Sequence, residues 1–223
     1  MGFVDLFREG RPVLVRQAFE NVCQMLDDGR TMFTAATGYL LDNEILDVNL
    51  SEMDEEINER EHVLRRLVLG HLNVDPDREL VFCLKMLSIV QEAERIGDIA
   101  KSLAKVGRLA QRPRMDDQVA ALRVLRDRIL LMFDEVNQGL IENDQVAARS
   151  LMKAHEGVKQ EVTRYLEEVA TGDGLTANQA VVYALAARLI SRTSSHLANI
   201  ASTVVSPFDR IRSAPTWNND DAG

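Results

Sequence analysis

The chain is 223 residues long, 46% hydrophobic but only 5% aromatic, with 12 glycines and 5 prolines. So few aromatics and breakers argue against a β-sandwich or barrel and for an all-α chain with one large core or two modest ones. The formal charge of −9 argues against nucleic acid as a partner, because that affinity comes chiefly from clustered Lys and Arg.

The N-terminal "MGFVDLFREG" lacks the basic start and apolar run of a secretory signal. A first long helix is predicted from Pro12 to about Asn43, with proline suited to a first turn, and a second from about Glu44 to His71. "NVDPDRE" breaks the chain, and a third helix runs from about Pro76 to Ala110. After "QRPRMDD", a second trio is predicted over 116–142, 144–171 and, beyond "TGDG", 176–205. The basic runs "LRRL" and "RVLRDR" have acidic neighbours and read as solvated helix faces. The most apolar stretch, "AVVYALAARLI", is short and interrupted by Arg188, so a spanning helix is not expected. Cys23 and Cys83 form no CxxC and sit among apolar residues, as buried free thiols of a reducing compartment would. A cytoplasmic location is the expectation. The tail, "SPFDRIRSAPTWNNDDAG", reads as mostly disordered.

The two trios are written alike. "MFTAATGYLLDNE" from Met32 aligns without a gap to "MFDEVNQGLIEND" from Met132, and "ERIGDIAKSLA" from Glu94 aligns to "SRTSSHLANIA" from Ser191. A repeat of about a hundred residues predicts two tandem three-helix bundles of long antiparallel helices: 1–110, 111–206, and a tail over 207–223.

The chemistry concentrates in the first repeat. In the third helix Phe82, Met86, Ile89, Val90, Ala93, Gly97, Ala100 and Ala104 form a core stripe, and Glu94 and Asp98 fall on the opposite side. In the second helix Met53, Ile57 and Leu64 form the stripe, with Asp54, Asn58 and Glu61 along its flank. Packed side by side, the two helices bring Asp54, Glu61, Glu94 and Asp98 together, an oxygen-rich set suited to divalent cations. On spacing alone, ordinary surface ion pairs with Arg95 and Lys101 account for the same charges.

"EAERIGDIAKSLA" closely resembles the E/D-x-x-x-D signature of the PhoU family, regulators of bacterial phosphate uptake, and "MDEEINERE" resembles that family's acidic motif on the second helix. The likeness spans residues 12–206, including the repeat. It implies a divalent or iron-type metal cluster on the bundle surface at Asp54, Glu61, Glu94 and Asp98. It also implies a non-catalytic cytoplasmic adaptor whose partners are the ATPase subunit of a phosphate ABC transporter and a sensor histidine kinase, reaching the membrane only through them. A homodimer is a further expectation. In the second repeat Ser191 and Ser195 stand where Glu94 and Asp98 stand in the first, and His155 and Lys159 match Asp54 and Asn58, so metal is expected in the first bundle only.

A competing metal motif, the ExxH of Glu59 and His62, lacks the second copy that di-iron bundles need. No glycine-rich phosphate loop or nucleophile elbow occurs, which argues against an enzyme. The alternatives are an accessory protein of another ion transporter, or a metal-dependent helical enzyme or metal-storage protein.

Overall fold

A computed structural model describes residues 12–212. Six long helices follow one another: α1 (Val13–Leu41), α2 (Leu50–Val74), α3 (Leu80–Leu109), α4 (Asp117–Glu142), α5 (Gln145–Thr171) and α6 (Ala177–Val205). No strand occurs among the described residues. Side chains that satisfy first-turn amides fix most of the starts. Asn49 accepts from the amides of Ser51 and Glu52, Asp116 from Val119, Asp144 from Val146 and Ala147, and Thr176 forms a capping box with Gln179.

Two starts differ from the expected ones. Helix α2 begins at Leu50, not near Glu44, because Asn43 turns left-handed (φ 59°) and the Glu44 amide folds back onto the Gly38 carbonyl at 3.3 Å. Helix α3 begins at Leu80, beyond Pro76. There Glu79 is left-handed (φ 58°) and buried His71 donates through Nε2 to the Arg78 carbonyl at 2.8 Å.

Helices α1–α3 pack as one bundle and α4–α6 as another, joined by α1 against α4 and α3 against α6. The repeat is visible in the join. Phe33 and Phe133, matching residues of the two copies, meet with ring centroids 5.8 Å apart, so the copies face each other across an approximate twofold axis. Asn137 donates to Asp27 (3.0 Å), and Arg30 reaches Asp134 (3.1 Å). The segment between bundles and the first turns of α4 are tied to the end of α1. The Arg114 guanidinium donates to the carbonyls of Tyr39 and Leu40, Arg123 to the Leu41 carbonyl and Asp42, and Arg126 to Asp42. Three cations thus meet the negative end of that helix.

The core is aliphatic with two central phenylalanines: Met25, Leu26, Met32, Phe33, Leu40, Ile57, Leu64, Ile89, Phe133 and Tyr183 are completely or almost completely buried. Each contributes roughly 1.5–3 kcal/mol of burial. The expected stripe of α3 is largely buried, but so are Glu92, Ile96, Ile99, Leu103 and Val106, because α3 packs against its own bundle and against α6 as well. In α2 the buried register is Leu50, Asp54, Ile57, Leu64, Val68 and His71. Asp54 therefore lies in the buried register, while Met53 is only half-buried.

Cys23 and Cys83 are free thiols, half-buried and buried, and burial pushes the Cys23 thiol up to about 12. No helix among the described residues is long and apolar enough to cross a membrane. The tail read as mostly disordered is ordered in its described part: a 3-10 turn (Phe208–Arg210) follows α6, and Arg212 packs back onto α3. Residues 213–223, with the rest of that expectation, lie outside the described residues, as does the N-terminal stretch through residue 11.

Candidate functional site on helix α3

Gly97 lets α2 approach α3. A Cβ there would stand 3.2 Å from Ile57 Cδ1 and 3.6 Å from Asp54 Oδ1. The close approach carries the Asp54 carboxylate, 8% exposed, against α3. It accepts from Asn58 Nδ2 (3.3 Å) and from Lys101 Nζ (2.5 Å), and the same ammonium lies 3.0 Å from Asp98 Oδ1. Burial works against the Lys101 charge, but hydrogen bonds to Asp54 and Asp98 outweigh it and hold the pKa above its ordinary value. Glu94 sits at the next turn. Its pKa is raised by burial first and then by the neighbouring Asp98 charge, with a smaller contribution from Glu61. Glu61 is engaged by Arg65 at 2.6 Å, and Glu94 by Arg95 at 3.5 Å.

All four predicted carboxylates thus come to one face, but in two groups. Lys101 joins Asp54 to Asp98, and Glu94 feels both Asp98 and Glu61. Among the described residues no three His, Cys, Asp or Glu side chains gather into a group that could hold a metal. In this arrangement an ammonium occupies the place between Asp54 and Asp98 that a divalent ion would need, so the donor set does not fit a metal cluster while Lys101 stays where it is. The ExxH pair Glu59 and His62 is an exposed contact of 3.9 Å, and Glu59 binds Arg66 at 2.7 Å.

The second repeat shows what replaces the acids. Ser194 Oγ donates to the Ser191 carbonyl (2.7 Å) and Ser195 Oγ to the same oxygen (3.3 Å). Because Ser194 has spent its proton, the contact at 2.8 Å to His155 has His155 Nδ1–H as donor. His155 matches Asp54 and Ser194 matches Gly97, so the same two positions touch in both bundles with different chemistry. Burial lowers the His155 pKa. Lys159 pairs with Glu156 at 3.1 Å.

Pattern reading missed Glu92. This carboxylate, 6% exposed, accepts from His196 Nδ1 (2.8 Å), Asn199 Nδ2 (2.9 Å) and Arg212 (2.7 Å). It thereby joins α3 to α6 and to the segment after it. The available signal was its place at helical spacing in a second apolar stripe with Ile96, Ile99, Leu103 and Val106. Two cavities flank Arg95 on this face. One, about 410 Å³, is lined by Glu61, Arg65, Glu92, Glu94, His196 and Arg212. The other, about 280 Å³, lies at the α3–α6 seam.

Residues 15–106 match the family model of the PhoU domain, a span that covers α1, α2 and most of α3 with its carboxylates. The match falls on the first bundle. Both bundles share the fold of solved PhoU structures. The chain is 21% identical to PhoU from Pseudomonas aeruginosa, with a TM-score of 0.80 over 86% of this chain and 95% of that one. It is 14% identical to the phosphate transport system regulatory protein PhoU from Streptococcus pneumoniae, with a TM-score of 0.77 over 92% and 97%. No curated protein matches the chain in sequence. The α3 signature therefore sits within the matched span, and its altered copy sits in the second bundle, outside that span.

Proposed function

We propose that the chain is a non-catalytic PhoU-type regulator, a helical adaptor that modulates a phosphate transporter and the phosphate-responsive signalling linked to it. The observation that carries this reading is the PhoU domain over residues 15–106 within a two-bundle fold shared with PhoU structures, one of them described as a phosphate transport system regulatory protein. The chemistry of the described site supports a scaffold. His155 and His196 are both committed to hydrogen bonds that join helices, and the acidic face is internally paired. Its partners would be the transporter's ATPase subunit and a sensor histidine kinase.

The test is deletion of the gene in its own cells, with a phosphate-responsive reporter and affinity capture of the tagged full chain. Expected are altered reporter output, restored by the full chain, and recovery of the phosphate transporter ATPase. An unchanged reporter with components of a different ion transporter in the capture would refute the reading and favour an accessory role for that transporter.

A further inference from the structure

The seam cavity of about 280 Å³ is lined by Arg95, Asp98, Ile99, Lys101, Ser102 and Lys105 of α3 and by Arg192 of α6. Four cations and one carboxylate therefore face it, in a chain whose net charge is −9. The pairing is uneven. Lys101 is shared by Asp54 and Asp98, and Arg95 has Glu94 at 3.5 Å. Counting those two neighbouring carboxylates as well, one positive charge remains in excess. Among the described residues, Lys105 and Arg192 have no hydrogen-bond or ion-pair partner. The neighbouring 410 Å³ cavity is the contrast: each of its arginines has its own carboxylate, Arg65 with Glu61, Arg95 with Glu94 and Arg212 with Glu92.

The repeat explains the excess. Arg192 matches Arg95, and the two carboxylates beside Arg95, Glu94 and Asp98, are Ser191 and Ser195 beside Arg192. With serine in place of acid, the second copy of the arginine stands without the anionic neighbours of the first. The α3–α6 packing then brings both copies of that arginine to one cavity.

We propose that this cavity binds a small, multiply charged oxyanion of the orthophosphate or pyrophosphate class, clamped between the two bundles by Arg95 and Lys105 from one and Arg192 from the other. Guanidinium groups present paired donors that match the oxygens of such an anion, and lysine adds a point charge. The volume lies at or below the lower end of the roughly 300–1,000 Å³ typical of pockets for drug-sized ligands, which favours an inorganic anion over a nucleotide. The assignment rests on the cavity and its unpaired cations, and it stands or falls independently of the transporter partnership proposed above.

Isothermal titration of the purified full chain in EDTA tests it, with orthophosphate, pyrophosphate, sulfate and ATP as separate probes. Expected is saturable binding of orthophosphate or pyrophosphate, weakened at least tenfold in Arg192→Gln and in Lys105→Gln. Both positions are exposed, so both variants should keep the wild-type helical circular dichroism. Lys159→Gln, a lysine outside the cavity and paired with Glu156, should bind as wild type. The proposal is overturned if neither phosphate species binds, if Lys159→Gln weakens binding as much as Arg192→Gln, or if ATP alone binds. Sulfate binding as tightly as both phosphate species would overturn the phosphate-class assignment.

Discussion

Replacing Glu92 with alanine tests how the two bundles are held together. The carboxylate is buried and accepts from His196, Asn199 and Arg212, whose pairing crosses from α3 to α6 and to the segment beyond it. A hydrogen bond to a charged group is worth about 1.5–3 kcal/mol. The Arg212 contact is discounted because that side chain is 41% exposed and exposed pairs contribute about 0–1 kcal/mol. The variant also leaves His196 and Asn199 without their acceptor, so the loss should fall near 3 kcal/mol, the lower end of what breaking a buried pair costs. In a protein of this size that corresponds to a drop in Tm of roughly 6–12 °C.

The loss should depend on pH. Burial pushes the Glu92 carboxyl up, but the hydrogen bonds from His196 and Asn199 and the charge of Arg212 outweigh it and place its pKa below the ordinary 4.5. A carboxylate with a lowered folded pKa contributes stability that is present above the unfolded pKa and is lost as pH falls through the folded one. Urea unfolding of wild type and Glu92→Ala at pH 7 and pH 3 should therefore show a large gap that narrows in acid. A gap under about 1 kcal/mol at pH 7, or one that is the same at both pH values, refutes this account.

Glu94→Gln should do the opposite. The Glu94 pKa is raised by burial and by Asp98, so its ionised form costs stability above that pKa and acid relieves the cost. The variant should gain roughly 0.2–0.5 kcal/mol at pH 7 and nothing below about pH 4, read from the same unfolding curves. Gly97→Val should lose about 1–3 kcal/mol, because its side chain enters the 3.2 Å gap to Ile57; an unchanged Tm would mean that α2 can retreat freely. Lys101→Met should leave Asp54 uncompensated and cost about 1–3 kcal/mol. Thermal melts with Mn²⁺ and EDTA should show the ion restoring part of that loss, while wild type responds to neither. A wild-type Tm that falls in EDTA would show that a metal displaces the ammonium.

Periodicity and breakers were enough to read the six helices, because each spans many turns and most begin at a capping side chain. The gapless match from Met32 to Met132 likewise showed the repeat, though not that its matching residues Phe33 and Phe133 meet at the join. What stayed hidden depended on contacts between helices. A stripe drawn for α3 within one bundle could not show that its other side packs on α6, and so Glu92 was passed over. Asp54 was placed on a flank because the expected α2 stripe included Met53. Only the absence of a side chain at Gly97 allows a carboxylate into that register. Lys101 was weighed as a neutralising neighbour of Asp98 on its own helix, but its hydrogen bond to Asp54, 47 positions earlier, belongs to the tertiary structure.

The duplicated architecture invites the assumption that either half could be cut out and studied alone. Glu92 lies in one half and its histidine and asparagine in the other, the facing phenylalanines are divided the same way, and the end of α1 is closed by arginines of the linker and of α4. A cut near residue 111 would therefore strand a buried carboxylate on one fragment and bare an aromatic face on each. The two repeats should therefore unfold as a single cooperative unit. Isolated halves should be recovered, if at all, as mutually complementing fragments.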